Sequence, residues 1–374
     1  MKGELKLFKL FGINVKLHAS WWLVFILLSW ILSTGFFPQF YSELTTMQYW
    51  LMGIVASILL FVSVLLHEFS HSLVAKHFRI KVEGITLFFF GGVSAITKED
   101  IKPWHEFWMA LAGPLFSFVL AGLFYILYVT VGYVFVNAIA FYLFQLNLIL
   151  GIFNLVPAYP LDGGRVFRAL LRLKTKDLRK STRIAAKGGK MFAWFLGILG
   201  ALEIIAGNFG GIWFVVLGIF LHFIANASYQ QVVFRQILGK WDAKDLMDKK
   251  FKTVLASESL AKLIENNKQS QKIAFVVKKD NSQNSILGVI DLKQIGKMNA
   301  QVQNRIKVEQ ATLRKFPKIY SDDDCYKVFK IFSTVPYNIL PVYKRGEIKK
   351  VVGIITREKI IKALEWHINF GTDY

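Results

Sequence analysis

The stretch LLHEFSHSLVAKHF, residues 65–78, decides how the rest of the chain is read. It continues an oily run that begins near residue 50, yet it holds His67, Glu68 and His71 in the pattern H-E-x-x-H. On a helix, residues four apart share a face, so both imidazoles can reach one metal ion and Glu68 can reach a water beside it. Nitrogen donors suit zinc, a borderline-soft and redox-inert ion, and three protein ligands with one open position would make the site catalytic. Such an ion lowers the pKa of its water to about 7, and Glu68 would accept the proton. The same five letters arise by chance in soluble helices. In a membrane span chance is the weaker reading, because an unpaired carboxylate there costs about 2.5–3.5 kcal/mol even on the lenient insertion scale. A bound divalent cation offsets that cost.

The surrounding composition supports a span. Of 374 residues, 54% are hydrophobic and 15% aromatic, too oily for an average soluble enzyme. Apolar runs predict six spans near 20–37, 50–77, 105–132, 136–158, 190–207 and 211–228, followed by a tail that reads as a soluble domain. The formal net charge is +21, and the densest basic run, residues 165–190, sets ten lysines and arginines against the single acid Asp177. Under the positive-inside rule it reads as a cytoplasmic loop touching anionic lipid. A nucleic-acid surface is set aside because the run flanks spans. Lys2 to Lys16, the cluster Lys76, Arg79 and Lys81, and Arg235 with Lys240 place both termini inside. The first apolar run follows lysines without a small-residue cleavage site and reads as a retained span. One cysteine, Cys325, excludes an intramolecular disulfide and suits a reducing compartment.

A third ligand has to come from a broken helix at the same depth. FNLVPAYPLDGGR, residues 153–165, offers Asp162 after Pro157 and Pro160, with Gly163 and Gly164 permitting close backbone approach. Taken alone, Asp162 would read as a turn residue before glycines. Between spans two and three, GITLFFFGGVSAIT, residues 84–97, is short, β-branched and interrupted by glycine. A strand pair dipping into the membrane and an interfacial loop both fit it. The tail repeats at a spacing of 65 residues: Val254 falls on Ile319, Val277 on Val342, Gly288 on Gly353 and Ile295 on Ile360. Each copy reads strand, helix, strand, strand, helix, with the glycine at a turn or bulge between strand and helix.

H-E-x-x-H in span two, joined to NLVPAYPLDGGR after span four, resembles the site-2 protease family of intramembrane zinc metalloproteases. LAGP at 111–114, GGVSAI and KLHASWW are similar to further family segments, and the resemblance covers roughly residues 10–225. The tail, best in ILPVYKRGEIKKVVGIITREKI, resembles a tandem pair of CBS (cystathionine β-synthase) modules. The whole is similar to the CBS-bearing branch that includes stage IV sporulation protein FB-like enzymes. The resemblance implies a polytopic α-helical membrane domain over residues 1–235, with six transmembrane helices and a small membrane-dipping β element. An α/β tandem CBS pair over 236–374 would follow in the cytosol, with repeats about 245–300 and 310–366.

It further makes His67, His71 and Asp162 the ligands of one zinc ion per chain and Glu68 the catalytic base. Asn154 matches a family asparagine that holds substrate backbone or stabilises the oxyanion, where a polar cap on interrupted backbone is the alternative. Peptide hydrolysis in or near a transmembrane segment requires an unwound substrate, which could pair with the strand edge at Gly91, Gly92 and Val93. The implied substrate is a membrane-tethered protein, such as an anti-sigma or pro-sigma factor, within the lipid bilayer of the cell membrane. Homodimerisation through the CBS modules is expected, and no nucleic acid partner. The tail departs from the nucleotide-binding CBS pattern. Thr356 survives, but Lys359 and Gln294 stand where the ribose carboxylate belongs, which weakens the case for adenine nucleotide. Dimerisation, substrate docking and sensing stay open for the tail. A CBS-regulated transporter and a non-proteolytic scaffold are the competing functions.

Overall fold

The computed structural model describes residues 4–88, 91–96, 101–267, 274–280, 286–296 and 299–370. The chain divides into two compact units, Met1–Val232 and Val233–Tyr374.

The first unit begins with two antiparallel strands, β1 (Glu4–Leu10) and β2 (Ile13–His18). Helix α1 (Ser20–Ile31) runs through a π turn (Leu32–Phe36) into a last turn, α2 (Phe37–Phe40). The long helix α3 (Thr46–His77) opens with a capping box in which the Gln48 side chain accepts from the Thr45 backbone N–H at 2.8 Å. Its 32 residues rise about 48 Å, more than the hydrocarbon core requires. Strands β3 (Val82–Phe88) and β4 (Gly91–Ile96) follow, then α4 (Pro103–Thr130), α5 (Val134–Leu155), α6 (Asp162–Thr175), α7 (Leu178–Ile205) and α8 (Gly211–Leu238). Among the described residues, six helical stretches are long and apolar enough to cross a membrane: Ser20–Phe40, α3, α4, α5, α7 and α8. The fold is that of a polytopic α-helical membrane protein.

The basic run 165–190 is not a loop. It forms the short helix α6 and the first turns of α7, which starts at Leu178, about a dozen residues before the expected span. Asp177 caps α7 by accepting from the backbone N–H groups of Arg179 and Lys180. Nor are its cations all at the surface: Arg168 is buried against Glu106 of α4. Charge density alone does not distinguish a solvated cation from one paired inside the fold.

The segment between spans two and three forms strands, and they belong to a larger sheet. Its order is β1-β2-β3-β4, with β2 and β3 parallel and β3 and β4 antiparallel. The two N-terminal strands were not expected, although ELKLFKL and INVKLH alternate as strands do. On β2 the alternation buries Ile13, Val15 and Leu17. Ile13 and Ile85 pack on Phe69, inside the H-E-x-x-H motif, so the sheet lies against the motif's own helix. The Lys76 ammonium donates to the Phe11 carbonyl at 2.7 Å and ties the hairpin tip to the end of α3. Residues 89, 90 and 97 of the expected segment lie outside the described residues.

The second unit carries the repeat. After α9 (Ala243–Leu246), the first copy runs β5 (Lys252–Leu255), α10 (Leu260–Glu265), β6 (Ala274–Lys278), β7 (Ile286–Asp291) and α11 (Leu292–Ile295). Helices α12 (Ala300–Arg305) and α13 (Val308–Ala311) join it to the second copy, β8 (Ile319–Tyr320), α14 (Cys325–Thr334), β9 (Ile339–Lys344), β10 (Glu347–Thr356) and α15 (Arg357–Phe370). Both sheets pair their first two strands parallel and their last two antiparallel, as a CBS pair does. Gly288 and Gly353 sit within β7 and β10 rather than between strand and helix. Each meets a crossing segment where a side chain would collide: the Leu313 carbonyl at 2.1 Å and Met247 Sδ at 2.7 Å.

Candidate metal centre

His67 and His71 lie one turn apart on α3, both 3% exposed. Their Nε2 atoms are 3.3 Å apart, and each is 3.1 Å from Asp162 Oδ2. Asp162 reaches them because it is the first residue of α6. Pro157 and Pro160 lie in the break after α5, and the glycines that follow let α6 start hard against it: a Cβ on Gly163 would stand 2.2 Å from the Leu155 carbonyl. The helix N-terminus also favours a carboxylate there. Arg165 approaches the other Asp162 oxygen, at 4.0 Å.

The other nitrogen of the His71 ring settles which way its lone pair faces. The Met109 carbonyl can only accept, so His71 Nδ1 donates to it, at 2.6 Å. The Ser117 hydroxyl takes His67 Nδ1 at 2.8 Å. A neutral His71 therefore turns a bare lone pair toward Asp162 Oδ2, which is also an acceptor. His71 Nε2 and Asp162 Oδ2 then meet as two acceptors with His67 Nε2 beside them, and a positive charge at that point stabilises the cluster. A tetrahedral zinc ion with bonds of about 2.0–2.1 Å separates its ligand atoms by about 3.3–3.4 Å. The observed 3.1, 3.1 and 3.3 Å fit that figure.

Helix α4 supplies the space as well as the hydrogen bonds. A Cβ on Gly113 would lie 2.2 Å from His71 Nε2 and 2.6 Å from His67 Nε2, inside the volume a cation needs. Residues 109, 113 and 117 form one stripe along α4, four residues apart. None was read from the sequence as a site residue. The signal was present, since Gly113 lies in the LAGP segment and Ser117 follows it by one turn inside an apolar run.

Glu68 is half-buried, and its carboxylate oxygen lies within 4.8 Å of ligand atoms of both histidines. Gly92 of β4 packs directly on it: a Cβ there would meet Glu68 Cγ at 2.4 Å. Gly91, Gly92 and Val93 pair with Phe88, Leu87 and Thr86 of β3. β4 ends the sheet, and its outer edge pairs with no strand among the described residues. Asn154 is half-buried in the last turn of α5 and makes no side-chain hydrogen bond among the described residues. Thr356 is remote in sequence, in the second unit. It lines a cavity of about 410 Å³ with Asp291, Asn338, Glu358, Lys362 and Glu365. Its hydroxyl accepts from the Lys359 backbone N–H at 3.3 Å, and Lys362 pairs with Glu358 at 2.9 Å. The Arg357 guanidinium is held by the carbonyls of Phe332, Val335 and Tyr337.

The model of peptidase family M50 matches residues 55–143 and 131–196, and that of the CBS domain matches residues 308–365. The Synechocystis protein sll0528 is 30% identical over 381 residues, which cover 98% of this chain and 96% of its own length. The chain belongs to peptidase family M50. Zinc metalloprotease MJ0392 of Methanocaldococcus jannaschii is a further relative, 29% identical over 369 residues and covered to 97% on both sides. Among solved structures, the site-2 protease from Methanocaldococcus jannaschii is similar at 34% identity and a TM-score of 0.42, over 60% of this chain and 94% of that one. In an M50 peptidase the contact between Gly92 and Glu68 has a direct consequence. Gly92→Ala should push the Glu68 side chain aside and lower kcat about 10–10²-fold. Metal content, checked by elemental analysis beside the cleavage assay, should stay unchanged.

Proposed function

We propose that this chain is an intramembrane zinc metalloprotease that cleaves a peptide bond in or near a transmembrane segment of a membrane-tethered protein. The observation that carries the reading is the convergence of His67 Nε2, His71 Nε2 and Asp162 Oδ2 within 3.3 Å of one another, one residue from Glu68. His67, His71 and Asp162 would hold the zinc. When bound, zinc supplies Lewis acidity to a water and to the substrate carbonyl.

The chain's own residues do the rest. Ser117 and the Met109 carbonyl fix the two imidazoles by their Nδ1 atoms. The Glu68 carboxylate takes a proton from water as the water oxygen bonds to the carbonyl carbon. It returns that proton to the amide nitrogen as the C–N bond breaks. The outer edge of β4, at Gly91, Gly92 and Val93, takes the unwound substrate as an added strand. Asn154, half-buried at the end of α5, is assigned to the substrate backbone or the oxyanion. A β element packed on the motif helix supports the reading that it dips toward the site.

The first unit, about residues 1–235, would be the protease domain, with both termini on the cytoplasmic side of the cell membrane, as the lysine and arginine pattern requires. The second would dock substrate or join two chains. A phosphate-bearing adenine nucleotide is disfavoured in the Thr356 cavity, where Asp291, Glu358 and Glu365 outnumber the one lysine and the arginine is spent on backbone. To test the central claim, the full chain is purified, its zinc counted, and cleavage of a single-span substrate followed. The expected result is a single zinc ion per chain, cleavage stopped by a chelator and restored by zinc. Undiminished cleavage by metal-free protein would refute the reading.

A further inference from the structure

The metal site uses atoms from three helices. α3 and α4 are joined by the two Nδ1 hydrogen bonds, but Asp162 comes from α6. What holds α6 in place lies two turns along it. Arg168, 7% exposed, donates from Nε to Glu106 Oε1 at 2.8 Å, with a second, shorter bond from Nη2 to the same oxygen. Glu106 is 1% exposed, in the first turn of α4. The Tyr159 hydroxyl accepts from Arg168 Nη1 at 3.0 Å, and the guanidinium carbon stands 4.7 Å from the centre of the same ring. One turn further, Arg172 Nη1 donates to the Ile101 carbonyl at 2.6 Å, just before α4 begins.

A buried ion pair is a poor way to add stability, since desolvation cancels most of the attraction and an apolar pair of equal volume serves as well. What it adds is direction. Glu106 stands on the stripe of α4 that continues through Met109, Gly113 and Ser117. Asp162 and Arg168 are about 9 Å apart along α6, and Glu106 and Gly113 about 10 Å apart along α4. α6 is thus gripped at two points whose spacings match. A helix held at one point can slide or turn, whereas one held at two cannot.

We propose that Glu106 and Arg168, braced by Tyr159, are positioning residues that fix the register of α6 on α4 and so hold Asp162 at the two histidines. α4 is then a common ruler: it orients both imidazoles and sets the distance to the carboxylate. This rests on the reading of His67, His71 and Asp162 as the zinc ligands.

The test is zinc affinity of the full chain in detergent or nanodiscs, measured with zinc alone by chelator competition. Arg168→Lys keeps the charge and loses the planar fork. It should weaken zinc about 10–100-fold, the usual cost of losing a group that orients a ligand. In an Asp162→Asn background the same substitution should change affinity less than about twofold, because the carboxylate it positions is gone. Unchanged affinity in Arg168→Lys overturns the proposal. So does equal weakening in both backgrounds, which marks a merely structural pair. If Asp162→Asn alone leaves zinc affinity unaltered, the metal-site reading fails first and takes this proposal with it. Should Arg168→Lys not fold, Tyr159→Phe removes a single acceptor. It should weaken zinc about 2–10-fold with Asp162 present and not at all in the Asp162→Asn background; no change in either overturns the proposal.

Discussion

Glu68→Gln protein should keep its zinc and lose peptide hydrolysis by about 10²–10⁴ in kcat, the range that a positioned general base supplies. Glutamine has the same shape and reach, so the packing of Gly92 on the side chain survives. The three atoms that would hold the ion belong to His67, His71 and Asp162, and the substitution touches none of them. What disappears is the capacity to take a proton. Elemental analysis and a single-turnover cleavage assay on the same preparation check both halves. Cleavage within about tenfold of wild type would remove Glu68 from the mechanism. Loss of zinc would make Glu68 a ligand instead.

Gly113→Ala should weaken zinc binding about 10²-fold while leaving the fold intact. An alanine in the middle of a helix ordinarily gains about 1 kcal/mol over glycine. Here its methyl would stand 2.2 Å from His71 Nε2, 2.4 Å from its Cε1 and 2.6 Å from His67 Nε2. The rings cannot swing away cheaply, because Met109 and Ser117 hold them from behind. The methyl thus competes with the ion for one space. Thermal melting of the metal-free protein should fall, because the methyl overlaps His71 Nε2 and Cε1 with or without the ion, and chelator competition should show the loss of zinc. An unaffected zinc affinity would mean that the imidazoles bind metal from another side.

The centre was only partly legible in the sequence. His67, Glu68 and His71 are readable because the helical repeat alone brings residues four apart together. Asp162 is harder: its place depends on the break at Pro157 and Pro160 and on Gly163 and Gly164. Proline and glycine mark such breaks in any sequence, and here the resemblance singled the residue out. Met109, Gly113 and Ser117 carry no such mark. A carbonyl, a glycine and a serine in an apolar span are ordinary until another helix is laid across them. The same holds for Glu106 and Arg168, 62 residues apart, of which Arg168 was read as one cation among ten. The four-stranded sheet illustrates the same limit. Its hairpin alternates visibly, yet β2 beside β3 is a pairing of distant segments that no local pattern reports.

By itself the sequence determined the number of spans, the motif on the second of them, the broken helix carrying a carboxylate and the repeat in the tail. Each follows from periodicity, composition or a backbone-limited residue, properties that neighbours along the chain confer on one another. Only the tertiary structure decided which groups orient the imidazoles, what leaves room between them, and what holds α6 at the right height. Those depend on where helices cross, and a crossing is set by packing between surfaces far apart in the chain.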